Sequence, residues 1–555
     1  MSARSDTGTS AGQPRPRGRS ADRAAKRAAL LANGIDPYPP ARPVGARVAD
    51  LVRRYGALPP RTRTGRVVTV AGRITGRRDH RAVEFATLRD GSEEIQVMLT
   101  GDRRTGGLRA RWRELTDLGD LVVVGGELVT TGSGALAVAA GEFTLSAVAL
   151  RPPPGRPAVA GATGRPSAGT DRYRRMLLDP AETARTQARG AVLRTLREGL
   201  YGREFTEADT PLLLPVPGGT ARPFTAHMNA WGVPLHLRAT AETYLKRLVA
   251  GGMDRVFEIG RVFRNEGVDA LHFPEFTVCE AYAAHRDYRD AAALAEQLVT
   301  AVAGVLAEGH GVLPAFARHR FHELLGTALG TAVDGTTPRA ELARHAERNG
   351  IAVVPGTGPG ALALLLYRKL VEPRLREPTF VFDFPAEGAI LARPHRRDPA
   401  VVESWSLVIG GLDVGQGCTE LTDPVEQRRR FTAQAAARHE QRLGATVLDE
   451  GFLTALEYGL PPLGGLVLGV DRLVTALSGG GRIRDHQCHP IVRPDPVRSA
   501  TPLAPTPPAA TPPAATPPAA TPPAPTPSAA HDHQPISAMK GAPRWTPTTS
   551  ASTPC

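Results

Sequence analysis

The sequence predicts an α+β protein in which a small N-terminal β-barrel precedes a larger domain built on an antiparallel β-sheet flanked by helices. Three observations predict this architecture. Five short segments of alternating polarity lie between residues 67 and 150, an antiparallel hairpin spans 257–282, and a Gly-rich strand runs into a helix within 459–477. With 555 residues, the chain is long enough for two or three domains that each bury a core.

The N-terminal part predicts a disordered segment followed by the barrel. Residues 1–22 are rich in Ser, Arg, Gly and Pro, and a short helix is predicted at 23–33. The barrel strands are predicted at 67–74, 82–88, 94–99, 121–128 and 142–150. Five strands of this length are typical of an OB-fold, which binds single-stranded nucleic acid through stacking and a basic groove. We therefore expect a first folded domain at 23–155.

The remainder predicts a linker, a second domain and a tail. A Pro/Gly/Ala-rich linker at 156–170 leads into the larger domain at 171–494, which opens with a helix predicted at 186–201. The tail, 495–555, repeats Ala-Thr-Pro-Pro-Ala and cannot bury enough apolar surface to fold. We expect it to be an extended, disordered spacer.

Composition favours an intracellular protein with a polyanionic partner. The net charge is +13 and the pI about 10.1, which suits nucleic acid, although the near absence of lysine beside arginine also reflects biased genome composition. The four cysteines show no paired spacing that would indicate disulfides or zinc. No signal peptide opens the chain, and the apolar helix predicted around 291–313 carries charged side chains, so no membrane span is expected.

The hairpin places charged and aromatic side chains at fixed positions. Arg264 and Glu266 lie near the end of its first strand, and His272 and Phe276 near the start of its second. An arginine for a phosphate, an aromatic face for a base and carboxylates for an amine suit a nucleotide. The alternative is an ordinary surface hairpin.

The Gly-rich segment supplies a second phosphate-binding arrangement. Gly469 ends an apolar strand, and a helix is predicted to open at or near Asp471 and Arg472. Glycine allows a ligand to approach the backbone closely, and arginine binds phosphate through two parallel hydrogen bonds.

Together, the hairpin and the Gly-rich segment resemble motifs 2 and 3 of class II aminoacyl-tRNA synthetases, and residues 186–211 resemble motif 1, which forms the dimer interface in that family. Segments 217–225, 241–248, 420–424 and 483–485 are similar to those of the class IIb lysyl-tRNA synthetases, in the same order. The resemblance implies a cytoplasmic, homodimeric lysine–tRNA ligase. Such an enzyme uses ATP and Mg²⁺ to form lysyl-adenylate and then transfers lysine to the 3′ end of tRNA(Lys).

The resemblance also implies site residues. Arg264 and Arg472 would be catalytic, contacting the α- and γ-phosphates. The implied ATP-binding set is Arg264, Glu266, His272, Phe276, Asp413, Gly469 and Arg472, with Asp413 also a metal ligand. The implied amino-acid set is Glu242 for the α-amino group, Glu280, Tyr282 and Glu420 around the ε-ammonium, and Gln416. Glu280 and Glu420 could instead belong to structural ion pairs.

Phe85 and Gln96 are the candidate nucleic-acid contacts in the barrel. A ring and an amide on neighbouring strands could stack on one base and read its edge. Taken alone, Phe85 fits a core position better. The resemblance to the class IIb anticodon-binding barrel favours contact of both residues with the central anticodon uridine.

Several positions depart from the family pattern. Ser406 stands where the family has a magnesium-binding glutamate, Leu271 for an arginine, Gln416 for an asparagine, Cys418 for a phenylalanine and Val467 for a glycine. Glu403 is near Ser406, but its offset is wrong for a replacement. A second interpretation is therefore a paralogue with altered or lost lysine activation, which would use a lysine analogue or a non-tRNA acceptor, confer inhibitor resistance, or only bind tRNA.

Overall fold

The computed structural model describes residues 20–80, 82–91, 93–100, 107–153, 172–217, 221–306, 313–440 and 447–491. The predicted linker at 156–170, the tail at 495–555 and nearly all of the segment 1–22 lie outside these residues. The domain boundaries assigned to these segments stay predictions.

Five strands close into the predicted barrel, in the order β1-β2-β3-β5-β4. They are β1 (Arg63–Asp79), β2 (Val83–Arg89), β3 (Glu94–Thr100), β4 (Leu121–Thr130) and β5 (Leu136–Ala147). Helix α1 (Ser20–Ala32) precedes the barrel and starts slightly before the predicted position. Helices α2 (Val48–Tyr55) and α3 (Leu108–Leu115) were not predicted; each buries an apolar stripe on the barrel core.

The fifth strand begins earlier than the predicted 142–150. Its first half is rich in alanine and contains Gly141, which weakens the alternation on which the prediction depended. The strand continues because β4 accommodates it: the register shifts at Gly125 and Gly126, where a Cβ on Gly126 would lie 2.1 Å from the Ala139 carbonyl oxygen. This is a β-bulge that only glycine permits.

The larger domain is built on an eight-stranded sheet in the order β12-β13-β14-β15-β16-β11-β10-β6. These strands are β6 (Thr206–Glu207), β10 (Arg255–Phe263), β11 (Glu275–Ala284), β12 (Ala317–Arg320), β13 (Thr379–Phe382), β14 (Ser404–Ile409), β15 (Leu412–Thr419) and β16 (Leu463–Gly469). The predicted hairpin is β10–β11. Pairing is antiparallel as expected except at the two edges, where β6 and β12 run parallel to their neighbours. A separate small sheet contains β7 (Leu213–Leu214), β8 (Thr225–Met228) and β9 (Val233–Leu237).

The helices of this domain are α4 (Arg172–Met176), α5 (Pro180–Tyr201), α6 (Glu242–Ala250), α7 (Tyr288–Leu306), α8 (Phe321–Leu329), α9 (Arg339–Arg348), α10 (Pro359–Leu370), α11 (Pro424–Glu440), α12 (Glu450–Glu457) and α13 (Val470–Leu477). Short 3₁₀ turns occur at Glu372–Arg374 and Ile483–His486. Helix α5 starts six residues before the predicted 186, because Asp179 caps it and Pro180 occupies its first turn. None of the described helices combines the length and apolarity needed to cross a bilayer.

Helices α5, α7 and α13 cover one face of the large sheet and form the main core with inward residues of β14–β16, among them Trp405, Leu407, Leu466 and Leu468. Two helices are joined there by a buried ion pair: Arg189 on α5 lies 2.9 Å from Asp471 on α13. Asp471 also accepts a hydrogen bond from the Thr277 amide at 2.6 Å. These contacts fix α13 against β11, and the opposite sheet face is left for a site.

Candidate functional site

Two adjoining cavities open on the sheet face that points away from the main core. The first is lined by the hairpin β10–β11, by β15 and by the start of α13, and the second by β14, β15, α6 and α10. Gln416 and Val467, which are cross-strand partners on β15 and β16, line both cavities. The register of β15, β16 and β11 therefore brings together segments that lie nearly two hundred residues apart in the chain.

The first cavity contains all seven positions predicted to bind ATP: Arg264, Glu266, His272, Phe276, Asp413, Gly469 and Arg472. The Arg264 guanidinium lies 5.2 Å from the centroid of the Phe276 ring. Burial, together with the positive charge of Arg472, lowers the pKa of Arg264. Two guanidinium groups converging on one cavity favour an anionic ligand.

A hydrogen-bonded chain orients Arg472. Asp269 contacts His272 Nδ1 at 2.8 Å, and His272 Nε2 lies 3.1 Å from an Arg472 guanidinium nitrogen. Because Arg472 can only donate, Nε2 accepts and Nδ1 carries the proton that is donated to Asp269. Sequence reasoning missed Asp269, although its position three residues before His272 is a local signal. Hydrogen bonds from the Leu271 amide and from His272 lower the pKa of Asp269, so it stays ionised.

The predicted metal ligand Asp413 lines the first cavity, next to Gln416, which lines both. Its carboxylate accepts a hydrogen bond from the Gln416 side chain at 2.7 Å. Burial raises the pKa of Asp413, although Arg472 acts in the opposite direction. The Ser406 hydroxyl is close enough to lower this pKa, yet it has no partner with hydrogen-bond geometry among the described residues.

Two further glutamates, Glu403 and Glu372, differ in their availability as metal ligands. Glu403 is held by Arg396, whose Nε lies 2.5 Å from one carboxylate oxygen, and despite burial this pairing lowers the pKa of Glu403 to about 2. It therefore does not replace the family's glutamate. Glu372, which sequence reasoning missed, has its pKa raised to about 7 by burial and then by the charge of Asp413. No local pattern in the sequence indicates that Glu372 approaches Asp413.

The second cavity has a buried ammonium at its acidic end. Lys246 is 1% exposed, and its Nζ lies 2.6 Å from Glu242 and 2.5 Å from Glu420. The Tyr282 ring centroid lies 5.8 Å from the same Nζ. Although burial acts against it, the two glutamates hold the pKa of Lys246 above its ordinary value. The i,i+4 spacing from Glu242 was the available signal for this unassigned lysine.

Glu280, the third predicted carboxylate, lies beneath the cavity wall rather than in its lining. It accepts hydrogen bonds from the Thr240 hydroxyl at 3.0 Å and from the Ala241 amide at 3.2 Å. Burial and then the charge of Glu242 raise the pKa of Glu280 to about 7, and burial likewise raises the pKa of Glu420 to about 7. Within the cavity, Glu242 and Glu420 share the single ammonium of Lys246, and Glu280 lies behind them, so carboxyl groups outnumber ammonium groups at this end. The arrangement suits a ligand that carries two ammonium groups.

In the barrel, Phe85 and Gln96 share the outer face of β2 and β3. Burial alternates along both strands, and both residues fall on the half-exposed positions. Gln96 is opposite Thr87 and Phe85 opposite Met98, so the two side chains are diagonal neighbours. The Phe85 ring makes an edge contact with His80, with centroids 5.9 Å apart. The interpretation of Phe85 as a core residue is therefore wrong, because its strand register turns it outward.

Comparisons with known proteins agree with this geometry. Residues 168–493 match the family model described as tRNA synthetases class II (D, K and N), and residues 68–150 match an OB-fold nucleic acid binding domain. The chain is 39% identical to the lysylphosphatidylglycerol biosynthesis bifunctional protein LysX of Nocardia farcinica, over 85% of this chain and 42% of that protein. The LysX proteins of Mycolicibacterium gilvum and Gordonia bronchialis are also 39% identical, over 85% of this chain and 43% and 42% of theirs. The chain thus spans about two fifths of the length of these relatives.

The raised pKa values of Glu280 and Glu420 predict pH-dependent binding of a diamino acid such as lysine. An ammonium group binds the ionised carboxylate, so binding releases protons below about pH 7 and affinity falls as the pH is lowered. We expect the dissociation constant to rise by about tenfold per pH unit for each proton released. Calorimetry in two buffers of different ionisation enthalpy at pH 6 and pH 8 measures both quantities. Equal affinity and no proton release would contradict this electrostatic account.

Lys246→Met should both destabilise the protein and shift this pH profile. Removing the ammonium leaves Glu242 and Glu420 without their partner in a buried site, a loss of about 3–5 kcal/mol. Since Lys246 lowers the pKa of Glu420, the midpoint for diamino-acid binding should move to higher pH. Thermal melts and pH titrations measure the two effects. Lys369→Met, at an exposed position on α10, is the matched control and should change neither.

Proposed function

We propose, on the premise that this chain belongs to the class II tRNA synthetases of the D, K and N group, that it is a lysine–tRNA ligase. The observation that supports this most directly is an acidic cavity, in which Glu242 and Glu420 share one ammonium, beside an arginine-lined cavity. Such a pair of cavities can hold a diamino acid with its carboxylate facing a nucleotide phosphate. The proposal includes a cytoplasmic location, where ATP and tRNA are found.

In the first step, ATP would occupy the cavity that contains Arg264 and Arg472. Arg264 would contact the α-phosphate, while Arg472, held by His272, would meet the γ-phosphate. The lysine carboxylate oxygen forms a bond to the α-phosphorus as the bond to the β-phosphate oxygen breaks, giving lysyl-adenylate and pyrophosphate. Catalysis depends on positioning and on neutralisation of phosphate charge, for which rigid guanidinium groups are suited.

Asp413 and Glu372 are the residues that would hold Mg²⁺. Within the described residues, no group of three or more His, Cys, Asp or Glu side chains is arranged as a metal site. Two carboxylates together with ATP phosphates nevertheless suit Mg²⁺, which usually keeps several water ligands. The ion would supply neutralisation of the charge on the leaving pyrophosphate.

Lysine would bind with its α-amino group at Glu242 and its ε-ammonium near Glu420 and Tyr282. Lys246 keeps one oxygen of each glutamate fixed, and the substrate ammonium groups would bind beside it. In the second step, the terminal ribose hydroxyl of tRNA(Lys) would attack the adenylate carbonyl and release AMP. Phe85 and Gln96 would hold the central anticodon base on the barrel.

Homodimerisation through α5 and the segment after it is also part of the proposal. Apolar side chains beside this helix are exposed in the single chain, with Tyr201 at 52%, Leu212 at 45% and Leu213 at 46%. Sedimentation of the purified protein measures the oligomeric state directly.

Amino-acid-dependent ATP–pyrophosphate exchange tests the proposed function. The full chain should support exchange with lysine above all other proteinogenic amino acids, and should then charge tRNA(Lys). Exchange with a different amino acid would favour the altered paralogue. Binding of tRNA without exchange for any amino acid would leave only a tRNA-binding role.

Arg264→Ala should reduce adenylate formation by at least about a hundredfold, because a positioned charge that stabilises the transition state is lost. The matched control is Arg261→Ala, on the same strand, which pairs with Glu275 at 3.4 Å and does not line the cavity. Single-turnover adenylate formation is the measurement. If the rate for Arg264→Ala stays within about threefold of the wild-type rate, Arg264 does not take part in the mechanism.

The metal assignment predicts opposite effects for two variants. Glu372→Gln should raise the Mg²⁺ concentration required for half-maximal exchange by about tenfold. Ser406→Glu combined with Leu271→Arg should lower it and strengthen Mg–ATP binding. Titration of Mg²⁺ at fixed ATP measures both. If Glu372→Gln behaves as wild type, the second carboxylate is elsewhere.

Phe85→Ala should weaken tRNA binding without affecting pyrophosphate exchange. Loss of stacking costs about 1–3 kcal/mol per base, and Gln96→Ala should relax discrimination at the central anticodon position. Phe143, which packs on the barrel core against Trp112, gives the contrasting variant. Phe143→Ala should lower the melting temperature, whereas Phe85→Ala should not. Unchanged tRNA affinity in Phe85→Ala would contradict the anticodon role.

A second candidate function follows from the relatives' printed name, which concerns lysylphosphatidylglycerol biosynthesis. The charged lysine could serve that lipid pathway instead of translation. A deletion strain separates the two. Loss of labelled lysine from phosphatidylglycerol with normal protein synthesis would favour the lipid role.

A further inference from the structure

The second cavity is larger than the acidic end requires. It has a volume of about 480 Å³ and continues from Glu242 and Glu420 between the sheet and α10. Its sheet side is formed by short side chains, Ser404, Ser406 and Cys418, and its far side by Gly360, Leu364 and the loop after β13. The unbranched methylene chain of a bound lysine would leave part of this space empty.

The open space is a consequence of strand register. Ser404 and Cys418 are direct cross-strand partners, as are Ser406 and Gln416, so the short side chains stand next to each other on one face. A larger residue on the neighbouring strand cannot fill the gap, because a Cβ at Gly465, the cross-strand partner of Cys418, would lie 2.2 Å from the Glu420 carboxylate.

The polar character of this space is specific. Ser406 is 4% exposed and lines the cavity; its hydroxyl lies near Asp413 but makes no hydrogen bond of good geometry within the described residues. A buried hydroxyl without a partner is unfavourable, and a ligand group that bonds to it removes that penalty. Burial raises the pKa of the Cys418 thiol, so this wall stays neutral near pH 7. The opposite wall combines the apolar side chains of Leu364, Phe384 and Ile390 with the charged residues Arg368 and Glu387.

We propose that the amino-acid site accepts, in preference to lysine, a diamino acid whose chain carries a small uncharged polar group such as a hydroxyl, directed at Ser406 and Cys418. The two ammonium groups would bind as described for lysine. This inference rests on the proposed function, because it concerns the substrate of the same activation step. A site that hydrogen-bonds a substrate hydroxyl discriminates strongly against the analogue that lacks it.

The test compares L-lysine with 4-hydroxy-L-lysine and 5-hydroxy-L-lysine in pyrophosphate exchange and in calorimetric binding to the full chain. In the wild-type protein, kcat/KM for at least one hydroxylysine should exceed that for lysine by about tenfold or more. Cys418→Phe, which fills the space, should reverse this ratio in favour of lysine. Ser406→Ala should bring the ratio close to one. Cys418→Ser, which keeps the volume and polarity, is the matched control and should retain the preference.

Two results would overturn the inference. One is a wild-type preference for lysine over both hydroxylysines; the other is a ratio that Cys418→Phe leaves unchanged. If Cys418→Phe does not fold, Ser404→Leu fills the same space from the neighbouring strand and takes its place. Failure of the proposed function is distinguishable, because then neither lysine nor the hydroxylysines bind or support exchange, and the inference falls with it.

Discussion

The site depends on one constraint: carboxylates that are buried away from water need a cation or hydrogen-bond donors in direct contact with them. Glu242, Glu420 and Glu280 come from separate segments of the chain, and each would be costly without its partners. Lys246 pairs with the first two, and the Thr240 hydroxyl and the Ala241 amide hold the third. Because Lys246 and these two donors lie on or next to α6, this short helix must pack correctly against β11 and α12 before the pocket exists. The specificity of the pocket for its ligand therefore depends on how α6 packs against its neighbours.

Local patterns were enough to predict much of the architecture. Alternation of polar and apolar residues located the barrel strands and the hairpin, and the Gly-rich strand correctly predicted the start of α13. Both signals depend only on adjacent residues. The full extent of β5 was missed because Gly141 and a run of small side chains interrupt the alternation. Helices α2 and α3 were missed because their eight residues form only one apolar stripe.

Site residues were predictable where a motif carries them and missed where folding alone brings them together. All seven predicted ATP positions line one cavity, whereas Glu372 approaches Asp413 only through the turn after α10. Phe85 illustrates the same limit, since the choice between core and surface depends on a register that shifts every side chain when it moves by one residue. Glu403 shows that closeness in sequence is not enough, because its carboxylate is paired with Arg396 and is not available to bind a metal ion.

Strands β14 and β15 present two faces with separate tasks. Trp405, Leu407 and Val414 point into the main core, while Ser404, Ser406, Gln416 and Cys418 point into the cavities. A change at one of the latter positions leaves the buried apolar surface intact. Evolution can therefore retune the chemistry of this protein one alternate residue at a time, without first acquiring a compensating mutation that restores the fold. The positions on these two strands that depart from the family pattern, Ser406, Gln416 and Cys418, all lie on the face that lines the cavities.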